Sequence, residues 1–203
     1  MKTILCYGDS NTWGAVPGTL TRHPIDVRWT GVLANELGAE YRIIEDGING
    51  RSTVWDDPGN MCRNGLAGLG YSLYRAKPLD LVILMLGTND LNYTDAAGYY
   101  EGISMLAKRI LRANEHYPGT SNVFPGEVKL LLVSPIELHP DAPKYAESRK
   151  FAALTEQLAH QLQVPWLDAA IYAKSSPVDL CHMDVESHLN LGKAIAEKVK
   201  TIL

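Results

Sequence analysis

Five short apolar runs divide the chain, and each is followed by glycine, serine or aspartate. Apolar runs of this length that stop at small polar residues are typical of buried parallel strands entering loops. The third run is nearly continuous in leucine, isoleucine and valine, as expected for a central strand that is covered on both faces. Strands are predicted to begin at Ile4 and to span residues 41–45, 79–86, 128–133 and 164–168.

Between these runs, leucine, valine and alanine recur at intervals of three and four residues, which is the period of an amphipathic helix. Strands that alternate with helices form a parallel sheet with right-handed crossovers. We therefore predict one three-layer α/β/α domain that spans residues 1–203 and has five parallel strands. Helices are predicted over residues 29–37, 64–75, 97–116, 144–163 and 189–202.

Composition narrows the class of protein. The 203 residues carry a formal net charge of −4, which gives no reason to expect nucleic acid or an anionic membrane as a partner. The three cysteines are too few and too scattered for a disulfide framework or a zinc site. The apolar runs fall far short of the roughly 20 residues of a membrane helix, and Met1 leads directly into the first strand. We expect a soluble, cytoplasmic protein with reduced thiols.

Three of the predicted strands end in loops that carry candidate chemistry. Gly8-Asp9-Ser10 follows the first strand, Gly50 belongs to the glycine-punctuated loop after the second, and Gly87-Thr88-Asn89-Asp90 follows the third. The carboxyl ends of parallel strands lie at one edge of the sheet, where open α/β folds bind ligands. We therefore expect Ser10, Gly50 and Asn89 to lie at one site.

A serine hydroxyl is a weak nucleophile until a base takes its proton. The segment from Asp179 to His182 supplies one, because an aspartate three residues before a histidine can accept a hydrogen bond from the imidazole and fix its tautomer. We predict Ser10 as nucleophile, His182 as base and Asp179 as the orienting acid. Candidate donors to the developing oxyanion are the backbone N–H groups of Ser10 and Gly50 and the side-chain amide of Asn89.

Taken in order, these four blocks resemble the GDSL (SGNH) hydrolase family, and the resemblance covers essentially the whole chain. Within that family, the sequence is most similar to the bacterial arylesterase/acyltransferase subgroup. The resemblance implies a flavodoxin-like fold and a reaction that needs no metal or cofactor. The stretches that match the subgroup are Gly8 to Gly14, Asp26 to Leu33, Glu45 to Thr53 and Met85 to Asp90.

The resemblance also implies roles for the residues around the nucleophile. Asp9 is expected to brace the loop and not to act as base, whereas Asn11 and Trp13 are expected to line the acyl pocket and bind substrate. Two positions depart from the family pattern. Asn11 replaces the usual leucine of Gly-Asp-Ser-Leu, and Leu180-Cys181 stands where glycine followed by isoleucine or valine is commoner. The second departure leaves the local backbone conformation open.

Simpler structural roles exist for several of these residues. Ser10 could cap a helix or close a turn, Asn89 could cap the helix after its strand, and Trp13 could pack under the loop as part of the core. Cys181 lies next to His182 and suggests a cysteine nucleophile, but three of the blocks point to Ser10 instead.

Histidines outside the predicted triad have no assigned chemistry. Asp179, His182, Asp184 and His188 together have side chains that suit a divalent ion, but their spacing matches no metal motif, and no metal is expected. Asp184 and His188 are predicted at the start of the last helix. The remaining histidines are predicted to be solvated in loops or on polar helix faces, namely His23, His116, His139 and His160.

The leading hypothesis is a serine esterase that acts on small carboxylic esters, because Trp13 beside Ser10 narrows the space for the acyl group. Capture of the acyl group by an alcohol in place of water would make the protein an acyltransferase. Carbohydrate acetyl esterases, thioesterases and lysophospholipases use the same machinery, and the motifs do not separate them. A flavodoxin-like binding module for a small ligand would also explain the glycine loops, although no nucleotide- or flavin-binding motif is present.

Two further expectations concern pH and assembly. Activity is predicted to fall on acidification, because a protonated imidazole at His182 cannot accept the proton of Ser10. The proline-rich segment 135–143 is predicted to be a surface excursion that could cap the site or form a subunit contact. The subgroup resemblance favours a homo-oligomer.

Overall fold

The chain folds around one parallel sheet, and the computed structural model describes all 203 residues. The strand order is β2-β1-β3-β4-β5, which is the flavodoxin-like order, so the predicted fold class is confirmed. The direction of winding reverses between β1 and β3, and open sheets of this kind bind ligands at that point. The strands are β1 Lys2–Gly8, β2 Tyr41–Gly47, β3 Leu81–Met85, β4 Leu130–Ser134 and β5 Trp166–Asp168.

Helices cover both faces of the sheet. Two of them, α2 and α8, pack on one face, and α3, α4 and α7 pack on the other. None of the helices combines the length and the apolar character needed to cross a lipid bilayer. The helices are α1 Ser10–Trp13, α2 Trp29–Leu37, α3 Gly65–Ala76, α4 Ala96–Leu111, α5 Ala113–His116, α6 Tyr145–Ser148, α7 Phe151–Leu162 and α8 Val185–Lys200.

The two helical layers explain why β3 is apolar at every position and why β1 is buried from Ile4 to Tyr7. In β1, Leu5 and Tyr7 belong to the core under α3, α4 and α7, whereas Ile4 and Cys6 belong to the core under α2 and α8. All four side chains are almost fully buried. Successive side chains of a strand point to opposite faces, so a strand between two helical layers has no solvent face. The sheet therefore holds the carboxyl end of β1 rigidly at the site.

Two predicted long helices are each divided in the structure. The stretch 97–116 is α4 and α5 with a break at Arg112, and the amide of Asn114 in α5 exchanges hydrogen bonds with the backbone N–H and carbonyl of Phe124. The stretch 144–163 is α6 and α7. The Ser148 hydroxyl donates a hydrogen bond to the carbonyl of Tyr145 and accepts one from the N–H of Leu138. Bonds from a serine side chain to nearby backbone compete with continuation of the helix.

The last helix begins earlier than predicted, at Val185 and not at Leu189. Asp184 is its N-cap, and the carboxylate accepts the backbone N–H of Ser187 at 2.8 Å. His188 consequently lies in the first turn of α8, and it is fully buried.

Candidate active site

Ser10 follows Asp9, the residue after the end of β1, and is the first residue of the short helix α1. The carboxylate of Asp9 caps this helix by accepting the N–H of Asn11 at 2.9 Å, so Asp9 braces the turn. Gly8 is required by close packing, because a Cβ there would lie 2.0 Å from the hydroxyl of Thr12. The turn therefore presents Ser10 at the carboxyl edge of the sheet.

The structure brings Ser10 together with two residues from the far end of the chain. Nε2 of His182 lies 2.9 Å from Oγ of Ser10, and Nδ1 of His182 lies 2.7 Å from Oδ2 of Asp179. In this arrangement, Nδ1–H donates to the carboxylate and Nε2 is free to accept the serine proton. The three residues thus have the geometry of a nucleophile, a base and an orienting acid.

The carboxylate of Asp179 is held ionised by its surroundings. Burial acts to raise its pKa, but hydrogen bonds outweigh burial and lower the pKa to about 2. The donors are the backbone and ring of His182 and the backbone N–H groups of Gly18 and Cys181. A permanently charged acceptor fixes the histidine tautomer and favours the imidazolium that forms during proton transfer.

Leu180 has φ = 69°, which lies in the left-handed region. In the family that the sequence resembles, glycine is commoner at this position. The structure therefore defines the backbone conformation that the sequence left open. The chain adopts the conformation that suits glycine and accommodates a leucine in it, at a cost of roughly 1–2 kcal/mol. Hydrogen bonds from Leu180 N–H to Ser176 and from His139 N–H to the Leu180 carbonyl, both 2.9 Å, hold it there.

The side-chain amide of Asn11 is bound to the backbone of the histidine segment. Its amide nitrogen donates to the carbonyl of Cys181 at 3.2 Å, and its amide oxygen accepts the N–H of Met183 at 3.0 Å. Asn11 borders the cavity but is 4% exposed. Because both polar ends of the amide are engaged by the backbone on either side of His182, Asn11 positions the base. Its predicted contact with substrate is limited to the cavity wall.

Gly50 and Asn89 face the same cavity as Ser10 and His182. Gly50 has φ = 77°, a conformation that L side chains rarely adopt. No backbone carbonyl accepts the N–H of Ser10 or of Gly50. The Asn89 amide donates one N–H to the carbonyl of Arg51 at 3.1 Å, and a primary amide has a second N–H to offer. The predicted oxyanion donors therefore border one cavity, and each has an N–H group that no other group of the protein accepts.

The cavity over Ser10 has a volume of about 690 Å³. Trp13 is half-buried and forms part of its wall, and the guanidinium of Arg22 lies 5.3 Å from the centroid of the Trp13 ring. The proline-rich segment that precedes α6 also contributes to the wall. The remaining lining residues are Ala15, Thr19, Leu20, Asn49, Thr88, Leu91, Asn92, Leu138, Ala142, Pro143, Lys144 and Cys181.

The chain matches the family model of the GDSL-like lipase/acylhydrolases over residues 6–190. The protein belongs to this family. The predicted family and the prediction of an ester hydrolase are thereby confirmed. No curated protein matches the chain.

Solved structures of two bacterial hydrolases are similar to this GDSL-family protein over their full length. An aryl esterase of M. smegmatis is 36% identical, with a TM-score of 0.92 and complete coverage of both chains. Est24, a carbohydrate acetylesterase from Sinorhizobium meliloti, is 33% identical, also with a TM-score of 0.92 and complete coverage of both chains.

Arg51 supports the oxyanion side of this GDSL hydrolase and was not predicted from the sequence. Its side chain is 2% exposed, and it donates to the carbonyls of Gly8 and Asp46 at 3.0 and 2.7 Å and to the Asp46 carboxylate at 2.8 Å. It also stacks over the ring of Tyr7, 4.1 Å from the centroid. Arg51 thus ties the end of β1 to the end of β2. Its position directly after Gly50 is the only sequence signal, because arginines are mostly exposed.

Asp90 ties the loop after β3 to the loop after β2. It is fully buried and accepts the backbone N–H of Thr53 at 2.7 Å and also the Thr53 hydroxyl. Burial is the main cause that raises the pKa of Asp90 to about 7. The final residue of the Gly-Thr-Asn-Asp block therefore fixes Asn89 by holding the backbone next to it.

His23 was predicted to be solvated, and this prediction is wrong. His23 is 7% exposed, and its ring lies edge-on to the ring of His188 with the centroids 5.2 Å apart. Nδ1 of His188 accepts the N–H of Trp29 at 3.3 Å, and Nε2 of each histidine is buried without a partner. Burial is the main cause that lowers the pKa of both, to about 3 for His188. The burial arises from packing between segments far apart in the chain.

Proposed function

We propose that the protein hydrolyses small carboxylic esters through an acyl-enzyme on Ser10. The observation that carries this proposal is the pair of hydrogen bonds from Ser10 to His182 and from His182 to Asp179, 2.9 and 2.7 Å long, at the base of an open cavity. Alternative structural roles for Ser10, such as a helix cap, do not require a histidine at its hydroxyl.

In the first half of the proposed reaction, Oγ of Ser10 attacks the ester carbonyl carbon while Nε2 of His182 takes the hydroxyl proton. The carbonyl oxygen becomes an oxyanion, which is stabilised by the N–H groups of Ser10, Gly50 and Asn89. When the tetrahedral intermediate collapses, the bond to the leaving oxygen breaks and the alcohol departs with the proton from His182.

In the second half, water enters, gives a proton to His182 and attacks the acyl carbon, so that the acid is released and Ser10 regains its proton. If an alcohol enters before water, the same steps produce a new ester. We propose this acyl transfer as a side reaction of the same site. Its support is that the cavity admits an acceptor, since it is much larger than a single acetyl group.

The lining of the cavity favours substrates with a short acyl group and a polar alcohol. Trp13 restricts the space next to Ser10. Further out, the walls carry the amides of Asn49 and Asn92 and the hydroxyls of Thr19 and Thr88, which can bind the hydroxyls of a carbohydrate. A carbohydrate acetyl ester is therefore the second candidate substrate, and the similarity to Est24 supports it.

A substrate panel tests both candidates. Aryl esters with acyl chains of increasing length, acetylated xylan and an acyl-CoA would be turned over by wild type and by Ser10→Ala, with and without a competing alcohol. We expect short aryl esters to react and Ser10→Ala to lose roughly 10⁴-fold or more in kcat. An organophosphonate should add once to wild type by intact mass. An adduct that persists in Ser10→Ala, or unchanged turnover by that variant, would sink the proposal.

Location and assembly also stand as proposals. We propose a cytoplasmic protein, supported by three cysteines that are all free thiols, and cell fractionation tests it.

We propose a homo-oligomer, supported by Met61 and Tyr71, which are 90% and 84% exposed and border one shallow depression. Light scattering on the eluting protein measures the mass, and a monomeric mass at micromolar concentration contradicts the assembly.

A further inference from the structure

The thiol of Cys181 lies against the triad and has no role in the proposed reaction. Its Sγ is 3.5 Å from Nδ1 of His182 and 3.8 Å from Oδ1 of Asp179. One ligand atom from each of these three residues lies within 4.8 Å of the others. All three residues are half-buried, and Cys181 and His182 border the cavity, so the cluster is open to small solutes.

We propose that Asp179, Cys181 and His182 form an inhibitory site for a thiophilic divalent metal ion, with Zn²⁺ as the best fit. The inference rests on the proposed function, because the metal would act by removing the base of the triad. It differs from a catalytic or structural zinc site, since neither folding nor the reaction uses the metal.

The spacing of the three ligand atoms suits one tetrahedral ion. With Zn–S of about 2.3 Å and Zn–N and Zn–O of about 2.1 Å, tetrahedral angles put sulfur about 3.6 Å from nitrogen and from oxygen, and nitrogen about 3.4 Å from oxygen. The observed separations of Sγ from Nδ1 and Oδ1 are 3.5 and 3.8 Å. The carboxylate oxygen that contacts Nδ1 is the other one, Oδ2, at 2.7 Å, so the carboxylate must shift until one of its oxygens lies about 3.4 Å from Nδ1. Water would complete the coordination from the cavity side.

Such an ion would inhibit because it changes which ring nitrogen of His182 carries the proton. In the active form Nδ1 of His182 carries the proton and donates it to Asp179, whereas Nε2 accepts from Ser10. Metal at Nδ1 requires the other neutral tautomer, in which the proton is on Nε2. That Nε2–H points at Ser10 Oγ and cannot accept the hydroxyl proton. The same change removes the Nδ1–H···Oδ2 hydrogen bond and frees Oδ2 as a ligand.

The thiol changes its form when the ion binds. A divalent metal ion is bound by cysteine as the thiolate, so the Cys181 thiol gives up its proton to solvent on binding. The bond that forms is metal to sulfur, and the bond that breaks is sulfur to hydrogen.

The experiment titrates ZnCl₂ against esterase turnover in a non-chelating buffer, for wild type, Cys181→Ser and Cys62→Ser. Each variant is compared with its own metal-free rate. Cys62 is exposed and its Sγ lies outside the cluster, so it is the matched control for adventitious thiol binding. We expect wild type and Cys62→Ser to be inhibited reversibly, with recovery on addition of EDTA. Cys181→Ser should need at least about tenfold more zinc, because a hydroxyl is a far poorer ligand than a thiolate.

A second measurement is independent of turnover. Co²⁺ added to the protein should give a thiolate-to-cobalt charge-transfer absorption in the near ultraviolet, which Cys62→Ser keeps and Cys181→Ser loses. Equal zinc sensitivity of wild type and Cys181→Ser, or a cobalt band that persists in Cys181→Ser, would overturn the inference. Absence of any metal-free turnover, with the cobalt band present, would instead count against the proposed function.

Discussion

The nucleophile side and the histidine side of this site are built in different ways. Ser10, Gly50 and Asn89 lie in the turns that follow β1, β2 and β3, which are neighbouring strands of one rigid sheet. Asp179 and His182 follow no strand. They lie in an irregular segment before α8, which contains a leucine at φ = 69°.

The difference shows what fixes the positions of the functional groups on each side. On the nucleophile side, strand pairing sets the positions, and buried groups such as Arg51 and Asp90 tie neighbouring loops together. On the histidine side, accuracy depends on a few hydrogen bonds from elsewhere, above all those of Asn11. Changes on the first side should weaken transition-state binding, whereas changes on the second side should move the base.

Among the residues that surround the triad, the largest effect is expected on the nucleophile side, from Asn89→Ala. Loss of one oxyanion donor typically lowers kcat by 10²–10³-fold, which is about 2.7–4 kcal/mol. KM should change little, because the donor acts on charge that develops only in the transition state. Steady-state kinetics with an activated ester measures both constants. Asn92→Ala, in the same cavity wall, is the control and should keep kcat within a few-fold. If kcat of Asn89→Ala fell by less than about fivefold, Asn89 would not be an oxyanion donor.

On the histidine side, we expect Asn11→Ala to lower kcat by about 10²-fold, because a base displaced by about 1 Å loses its alignment with Ser10. The variant also leaves the carbonyl of Cys181 and the N–H of Met183 without partners, which costs about 1–3 kcal/mol for each group that stays buried. Urea unfolding and steady-state kinetics measure the two effects.

The chain offers a matched control in Asn114, whose amide makes the same two-bond bridge to the backbone of Phe124 far from the site. Asn114→Ala should destabilise the protein by a similar amount and leave kcat unchanged. If both variants lose stability and neither loses kcat, Asn11 is a structural residue only, and the proposed dependence of the histidine side on it is wrong.

The next effect is the change in the free energy of unfolding on acidification, and it depends on His188. The pKa of His188 is lowered to about 3, first by burial and then by His23. Below pH ~6.5 the unfolded chain binds a proton at His188 that the folded protein does not bind. The contribution of His188 to the free energy of unfolding therefore falls by about 1.4 kcal/mol per pH unit between pH ~6.5 and ~3. His188→Asn, which keeps an acceptor for the Trp29 N–H, should lose this dependence.

The measurement is urea unfolding of both proteins at pH 7 and pH 4.5. The stability of His188→Asn relative to wild type should rise by about 2–3 kcal/mol on acidification. Asp9 and Asp90, on the nucleophile side, have pKa values raised to about 6 and about 7 and respond to acid in the opposite direction. Both are present in both proteins, so their contributions cancel in the difference. A difference that does not change with pH would show that His188 is accessible to protons in the folded state.

The smallest effect is expected at Leu180. Glycine adopts the left-handed conformation without the Cβ penalty, so Leu180→Gly should be more stable than Leu180→Ala by about 1 kcal/mol. The comparison with alanine removes the contribution of the lost leucine side chain. Thermal unfolding of the two variants is sufficient to rank them. If alanine were the more stable, the backbone of this segment would not be strained, and the contrast between the two sides of the site would weaken.

The family, the strands and the triad candidates could be predicted because each leaves a local signal. The apolar run from Leu79 to Leu86 has the composition of a strand buried on both faces, and Ser10 follows another apolar run that stops at glycine. The divided helices were missed because the hydrogen bonds at the breaks, such as the bridge from Asn114 to Phe124, leave no mark on the hydrophobic period. The burial of His23 was missed because it depends on His188, which is far away in the chain.

The sequence by itself determined which chemistry this protein can carry. Hydrophobic periodicity set the layers, and glycines and polar residues after the strands set which side chains meet at one edge of the sheet. Only the tertiary structure decided how the site is held: Asn11 bridges the backbone around His182, Arg51 is buried under the oxyanion loop, and the Cys181 thiol lies 3.5 Å from the catalytic imidazole. The physical reason is range. Propensity and pattern act over a few residues, whereas a hydrogen bond or a buried charge depends on atoms that the chain brings together only after it has folded.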